Sequence, residues 1–237
     1  MNQDTPGLPV IAAHVVRRSL VLAAVVCRGS IESGAGQLQA DAVYTRLIDW
    51  LDELSLWDEV EPIEKEILRT SLGLLEQKDV IRATWYVEGL AILTWALNLF
   101  ELPRHDQKVD GYAVADALGF LSEDAEDVIA TAELRSPIEL EACRELLYAI
   151  HSRLRDFAHN RKPMDFTRWV EKAWIDTLRL DANQLIVNND LAIDGKPISE
   201  VTEDRLQECE WITNERHRAI IWLVGEYPIY SQTPVDT

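Results

Sequence analysis

Residues 79–99 read DVIRATWYVEGLAILTWALNL, and this stretch decides the fold. Trp85, Ile92, Trp95, Ala96 and Leu99 share one face at helical spacing, and Leu90, Leu93 and Leu97 cover much of the remainder. A helix that is apolar nearly all round belongs at the centre of a fold. The rest of the chain should therefore wrap around it as further helices.

The flanking sequence agrees. Upstream, residues 10–28 read as a helix ended by Gly29, followed by a loop over 28–37 that carries Gly34 and Gly36. A second helix covers 39–54, with Val43, Leu47, Trp50, Leu51 and Leu54 on one face. Pro62 sits in the first turn of a third, which runs to Glu76. Downstream, Pro103 and Gly111 mark a loop before short helices over 112–119 and 122–133. Ser136-Pro137 opens a long helix to His159, buried through Leu140, Leu147, Ile150, Leu154 and Phe157. Another follows over 166–179 with Trp169 and Trp174, and a last one runs over 202–225 to Gly225. Only 183–198 reads as extended, a small β-hairpin. The expectation is a mostly α, single-domain helical bundle of about nine helices, with 1–9 and 226–237 irregular.

Composition narrows the function. A 47% apolar content with eight Trp is that of a packed chain, and 237 residues can bury a core without staples. Cys27, Cys143 and Cys209 form no C-x-x-C pair, so neither a disulfide framework nor a zinc site is read. The net charge of −18 is the opposite of a phosphate-binding footprint and disfavours anionic membrane surfaces. Residues 15–27 superficially resemble a secretion signal. The apolar run is short, however, and Asp4 precedes Arg17 and Arg18, so a buried helix and cytoplasmic residence are expected.

No G-x-G-x-x-G, P-loop, H-E-x-x-H, G-x-S-x-G or EF-hand loop occurs, and no cofactor or metal site is read. Glu88 is a lone charge on the apolar helix. It calls either for a buried partner, with Arg135 or Arg216 the candidates, or for a carboxyl of raised pKa acting as acid or base. His151 and His159, about 12 Å apart along one helix, cannot grip one metal. Glu215-Arg216-His217-Arg218 places four polar residues within one turn, of which at most two can face a common pocket. An enzyme, if this is one, would draw on Glu88, His151, Glu215 and His217.

Charge runs bear on partners. Residues 41–66 hold nine acidic and two basic side chains, and 122–145 hold eight and two. Such runs are either solvated faces or a docking surface for a basic partner, with Asp52, Glu53, Glu123 and Asp124 as candidate contacts. Arg153, Arg155, Arg161 and Lys162 form a local basic segment around Asp156.

Four motifs in order resemble a bacterial family known as a domain of unknown function. They are Trp50-Leu51-Asp52-Glu53 through Leu56-Trp57 to Glu64, Trp85-Tyr86-Val87-Glu88 with Leu93-Thr94-Trp95-Ala96-Leu97, Leu134-Arg135-Ser136 with Glu139, Leu146, Tyr148 and His151, and Glu215-Arg216-His217 with Ala219, Trp222 and Leu223, ending at Asp236-Thr237. The chain departs from that pattern at Ala142, Ala149, Ser152 and Tyr230-Ser231. The resemblance implies no activity. These departures shift weight from a hydrolase or transferase towards a non-enzymatic interaction protein, of immunity type, that neutralises a basic toxin. A structural subunit of an assembly is the third reading.

Overall fold

A computed structural model describes residues 11–34, 39–172, 185–225 and 227–235. Expectations for the loop at 35–38, for 173–179 of the eighth helix and for 183–184 lie outside the described residues. So do those for residues 1–9, 226 and 236–237.

The chain is mostly α-helical, with nine α-helices among the described residues. They are α1 Ala12–Glu32, α2 Ala40–Glu53, α3 Pro62–Arg69, α4 Gln77–Ala96, α5 Gly111–Ala117, α6 Asp124–Thr131, α7 Pro137–Asn160, α8 Phe166–Lys172 and α9 Glu203–Leu223. Between α8 and α9 lies an antiparallel sheet of β1 Ile186–Val187, β2 Asp190–Ile193 and β3 Lys196–Pro197, in that order. The expected extended segment is thus present and carries a third strand. β1 pairs with β2 through Ile186 and Leu191, and β2 with β3 through Ala192 and Pro197.

The apolar stretch quoted at the outset is the central helix. α4 packs on α1 along one side and on α9 along the other, while α7 lies against α9. Both crossings of α4 use a glycine. A Cβ on Gly29 of α1 would stand 2.7 Å from the Ala83 Cβ of α4. One on Gly89 of α4 would stand 2.0 Å from the Tyr230 hydroxyl and 3.3 Å from the Glu215 carbonyl oxygen of α9. Gly29 was expected to end α1; instead α1 runs on to Glu32, because the missing side chain serves the crossing. α3 stops at Arg69 rather than at Glu76. Thr70 turns extended, Gly73 takes a positive φ of 78°, and Arg28 accepts the task of bonding the carbonyls of Thr70 and Ser71.

Capping follows the sequence where it was legible. Ser136 accepts from the Glu139 amide at 3.3 Å while the Glu139 carboxylate accepts from the Ser136 amide, a reciprocal box with Pro137 behind it. Glu61 and Glu64 make the same arrangement at Pro62.

The apolar interior falls into two adjoining clusters. The larger joins α1, α2, α4 and the end of α9. The smaller joins the second half of α7, α8, the sheet and the start of α9. Arg153 fastens the latter: its guanidinium donates to both Asp190 oxygens at 2.7 Å, linking α7 to β2. The basic segment read around Asp156 is therefore partly interior. None of the described helices is long and apolar enough to cross a membrane.

Candidate functional site

The four polar residues of the Glu215 turn part company, as their spacing requires. Arg216 points to α4 and pairs with Glu88, Nε and Nη2 lying 2.9 and 2.8 Å from Oε2. Glu88 is 0% exposed, and its other oxygen accepts from the Val109 amide at 3.0 Å. The remaining donors of Arg216 go to the carbonyls of Pro103, Arg104 and Gln107. The pair thus ties α9 to α4 and to the irregular connection that follows α4. Arg135, the other candidate, bonds the Trp95 carbonyl at 2.8 Å, lies over the Trp95 ring and reaches Glu101 and Glu139.

His217 points to α7, where its Nδ1 lies 3.1 Å from Nδ1 of His151 with the rings perpendicular. One ring donates from Nδ1 and the other accepts at Nδ1, so the accepting ring is neutral. Burial, then Arg155, lowers His151 to about 4; burial, then His151 and Arg144, lowers His217 to about 3. His159 turns away and bonds the Arg155 carbonyl at 2.8 Å.

Glu215 and Arg218 face a common cavity of about 500 Å³. Its walls are Lys78, Ile81, Arg82 and Trp85 of α4, His151 and Arg155 of α7, and Glu210, Trp211, Asn214, Glu215 and Arg218 of α9. Three helical stripes make it: i, i+3, i+4, i+7 on α4, i and i+4 on α7, and i, i+1, i+4, i+5, i+8 on α9. Arg218 Nη1 donates to both Glu215 oxygens at 2.7 and 2.8 Å. Burial raises the pKa of Glu215, against the pull of Arg218. The Trp85 and Trp211 rings meet at 5.1 Å, tilted by 55°, and Lys108 covers a face of Trp85 at 4.8 Å. Of the expected catalytic candidates, then, Glu215 and His151 line the cavity, His217 stands behind His151, and Glu88 is elsewhere. Arg218 belongs to the polar turn read from the sequence, whereas Glu210 and Trp211 were not anticipated, although their helical spacing on α9 was visible.

The acidic runs divide. In the first, Glu59, Glu61 and Glu64 turn inward. Glu64 is fully buried and pairs with Arg18, Glu59 lies near Arg17 and His14, and Glu61 accepts from the amides of Tyr230 and Ser231 at 2.7 and 2.8 Å. These three carboxylates of 41–66 thus serve the interior contacts of the fold. In the second, Glu139 and Glu141 are held by Arg135 and Arg144. What remains exposed is Asp41, Asp49, Asp52, Glu53, Asp58 and Glu66 from the first run, and Glu123, Asp124, Glu126, Asp127 and Glu133 from the second. The two open parts are joined: the Trp50 indole stacks edgewise on Phe120 at 5.1 Å and donates to the Ser122 carbonyl at 3.5 Å. Of these carboxylates only Glu53 has a cation within 4 Å, Arg46 at 2.7 Å, among the described residues.

Burial pushes the thiols of Cys27, Cys143 and Cys209 up to about 11, 12 and 12, away from a nucleophilic thiolate. Among the described residues no group of three His, Cys, Asp or Glu is placed to hold a metal.

With this geometry established, the chain is identified by residues 9–168, which match the family described as a domain of unknown function (DUF4272); the chain belongs to that family. The match ends within α8, so the sheet and α9 lie beyond it. No curated protein and no solved structure matches the chain.

Proposed function

We propose that this chain is a non-enzymatic interaction protein that docks a basic protein surface, as an immunity-type protein does in neutralising a toxin. The observation that carries the reading is the junction at Trp50. It brings the open carboxylates of two distant sequence segments, Asp52 and Glu53 with Glu123 and Asp124, to adjoining elements. A field of one sign on adjoining elements raises the encounter rate of a partner of the other sign. Cytoplasmic residence is the compartment this reading requires.

A hydrolase or transferase would need an acid, base or nucleophile free to act. Here Glu88 is saturated by Arg216, His217 is buried against His151, and Glu215 is held by Arg218. The residues that suggested catalysis have other occupations.

The test starts with capture of partners from the native cell and continues with association kinetics of the purified pair at two salt concentrations. On-rates should fall by roughly tenfold or more as salt screens the field. Reversal to Lys at Asp52, Glu53, Glu123 and Asp124 should slow association similarly while circular dichroism stays unchanged. An on-rate indifferent to both salt and these reversals sinks the proposal, as does turnover of a small molecule with no protein partner.

A further inference from the structure

The cavity between α4, α7 and α9 leaves specific polar groups unmet. Glu210 Oε1 and Arg218 Nε are buried there without a hydrogen-bond partner. Arg155 reaches only the Val235 carbonyl, at 3.4 Å, among the described residues. The other wall cations are occupied: Lys78 by Glu76 at 2.6 Å, Arg82 by Asp79 at 3.1 Å, and Nη1 of Arg218 by Glu215. Arg161, whose charge also acts on Glu210, is held by Glu203 at 2.9 Å. Glu210 of α9 and Arg155 of α7 thus both line the cavity with no ion pair within 4 Å among the described residues, although the charge of Arg155 acts on Glu210.

Unmet groups of both signs call for a ligand that carries both. A buried acceptor without a donor is costly to maintain, so a donor supplied from outside is rewarded. A phosphate would gain from several free cations, and among the described residues only Arg155 of the lining cations has no carboxylate within 4 Å. The same cavity has apolar lining in Ile81, Trp85 and Trp211. One face of Trp85 is already covered by Lys108, whereas Trp211 is 38% exposed. The volume suits a small ligand, since small-molecule sites commonly span about 300–1,000 Å³.

We propose that this cavity binds a small zwitterion, a free α-amino acid or dipeptide with an apolar or aromatic side chain. Its ammonium meets Glu210, its carboxylate meets Arg155 and the Nε of Arg218, and its side chain lies on Trp211 and Ile81. Glu215 is a positioning residue: by gripping Nη1 it orients the Arg218 fork. His151 is neutral at physiological pH and competes for neither end. The site shares no residue with the acidic face, so the failure of either proposal leaves the other standing.

The full chain would be titrated with L-phenylalanine, which is transparent where tryptophan is excited, and Trp85 and Trp211 emission would be followed. The same titration would use N-acetyl-L-phenylalanine, L-phenylalanine amide, L-phenylalanyl-L-phenylalanine and adenosine monophosphate. L-phenylalanine or the dipeptide should give a saturable change, and removing either charge should weaken binding by roughly tenfold or more. Glu210→Gln should weaken L-phenylalanine to a similar degree and leave N-acetyl-L-phenylalanine unaffected. Arg155→Ala should do so while leaving the amide unaffected. No saturable response to L-phenylalanine or the dipeptide at about 10 mM overturns the proposal. Tighter binding of adenosine monophosphate, or loss of neither charge mattering, overturns it too.

Discussion

Two ion pairs sit within one turn of α9, and they are used in opposite ways. Arg216 meets Glu88 in the interior, where carboxylate and guanidinium also take up the Val109 amide and three loop carbonyls. Arg218 meets Glu215 at the wall of a cavity, with Nε unmet and an unmet carboxylate oxygen on Glu210 two turns before it. The chemistry is the same and the saturation differs. A saturated pair holds elements together, whereas an unsaturated one is open to a ligand.

Breaking the saturated pair should have the largest effect. Glu88→Ala leaves Arg216 buried without its counter-charge and should cost about 3–5 kcal/mol in urea unfolding. A denaturation midpoint equal to that of the parent chain would remove Glu88 from the scaffold.

Acid should loosen the adjoining His151–His217 contact, also on the Arg216 turn. Both rings have folded pKa values below the ordinary 6.5, at about 4 and about 3, so the unfolded chain binds protons more readily. Stability from the pair is complete above pH 6.5 and drains away as pH falls from 6.5 towards 4. Each ring contributes a loss of about 2 kcal/mol at pH 5. Unfolding at pH 7 and pH 5, compared with a His151→Phe/His217→Leu variant, isolates the pair: the variant's difference between the two pH values should be smaller. An unchanged difference would mean that other groups set the acid response.

Gly89→Ala sharpens the comparison from the α4 side, because Gly89 follows Glu88 and its added methyl meets the Tyr230 hydroxyl. Displacing Tyr230 should cost about 1–3 kcal/mol and make residues 227–235 more sensitive to protease. Protease resistance equal to the parent's would show that Tyr230 yields freely. The smallest effect is expected at the solvated carboxylates. Asp52→Lys and Glu123→Lys should change stability by less than about 0.5 kcal/mol, read by thermal melts.

Sequence periodicity disclosed the helices because each buries a stripe, and a stripe is a local property. Glu88 announced its need for a partner in the same way, as one charge among Trp85, Ile92 and Trp95. Gly29 misled because its role lies in Ala83 of another helix, and no local signal separates a crossing glycine from a terminating one. Glu64 lay in an acidic run, yet Arg18 lies 46 residues away and draws it inside. The cavity was hidden for the same reason. Lys78, His151 and Glu210 belong to three helices, and only their packing makes them neighbours.

The most direct test of the division on α9 is to neutralise each carboxylate without changing its size and compare unfolding free energies side by side. Glu88→Gln should lose several kcal/mol, because Arg216 remains buried and charged. Glu210→Gln should stay within about 0.5 kcal/mol of the parent, since nothing in the fold depends on that charge. Equal losses from the two substitutions, or a larger loss from Glu210→Gln, would contradict the account.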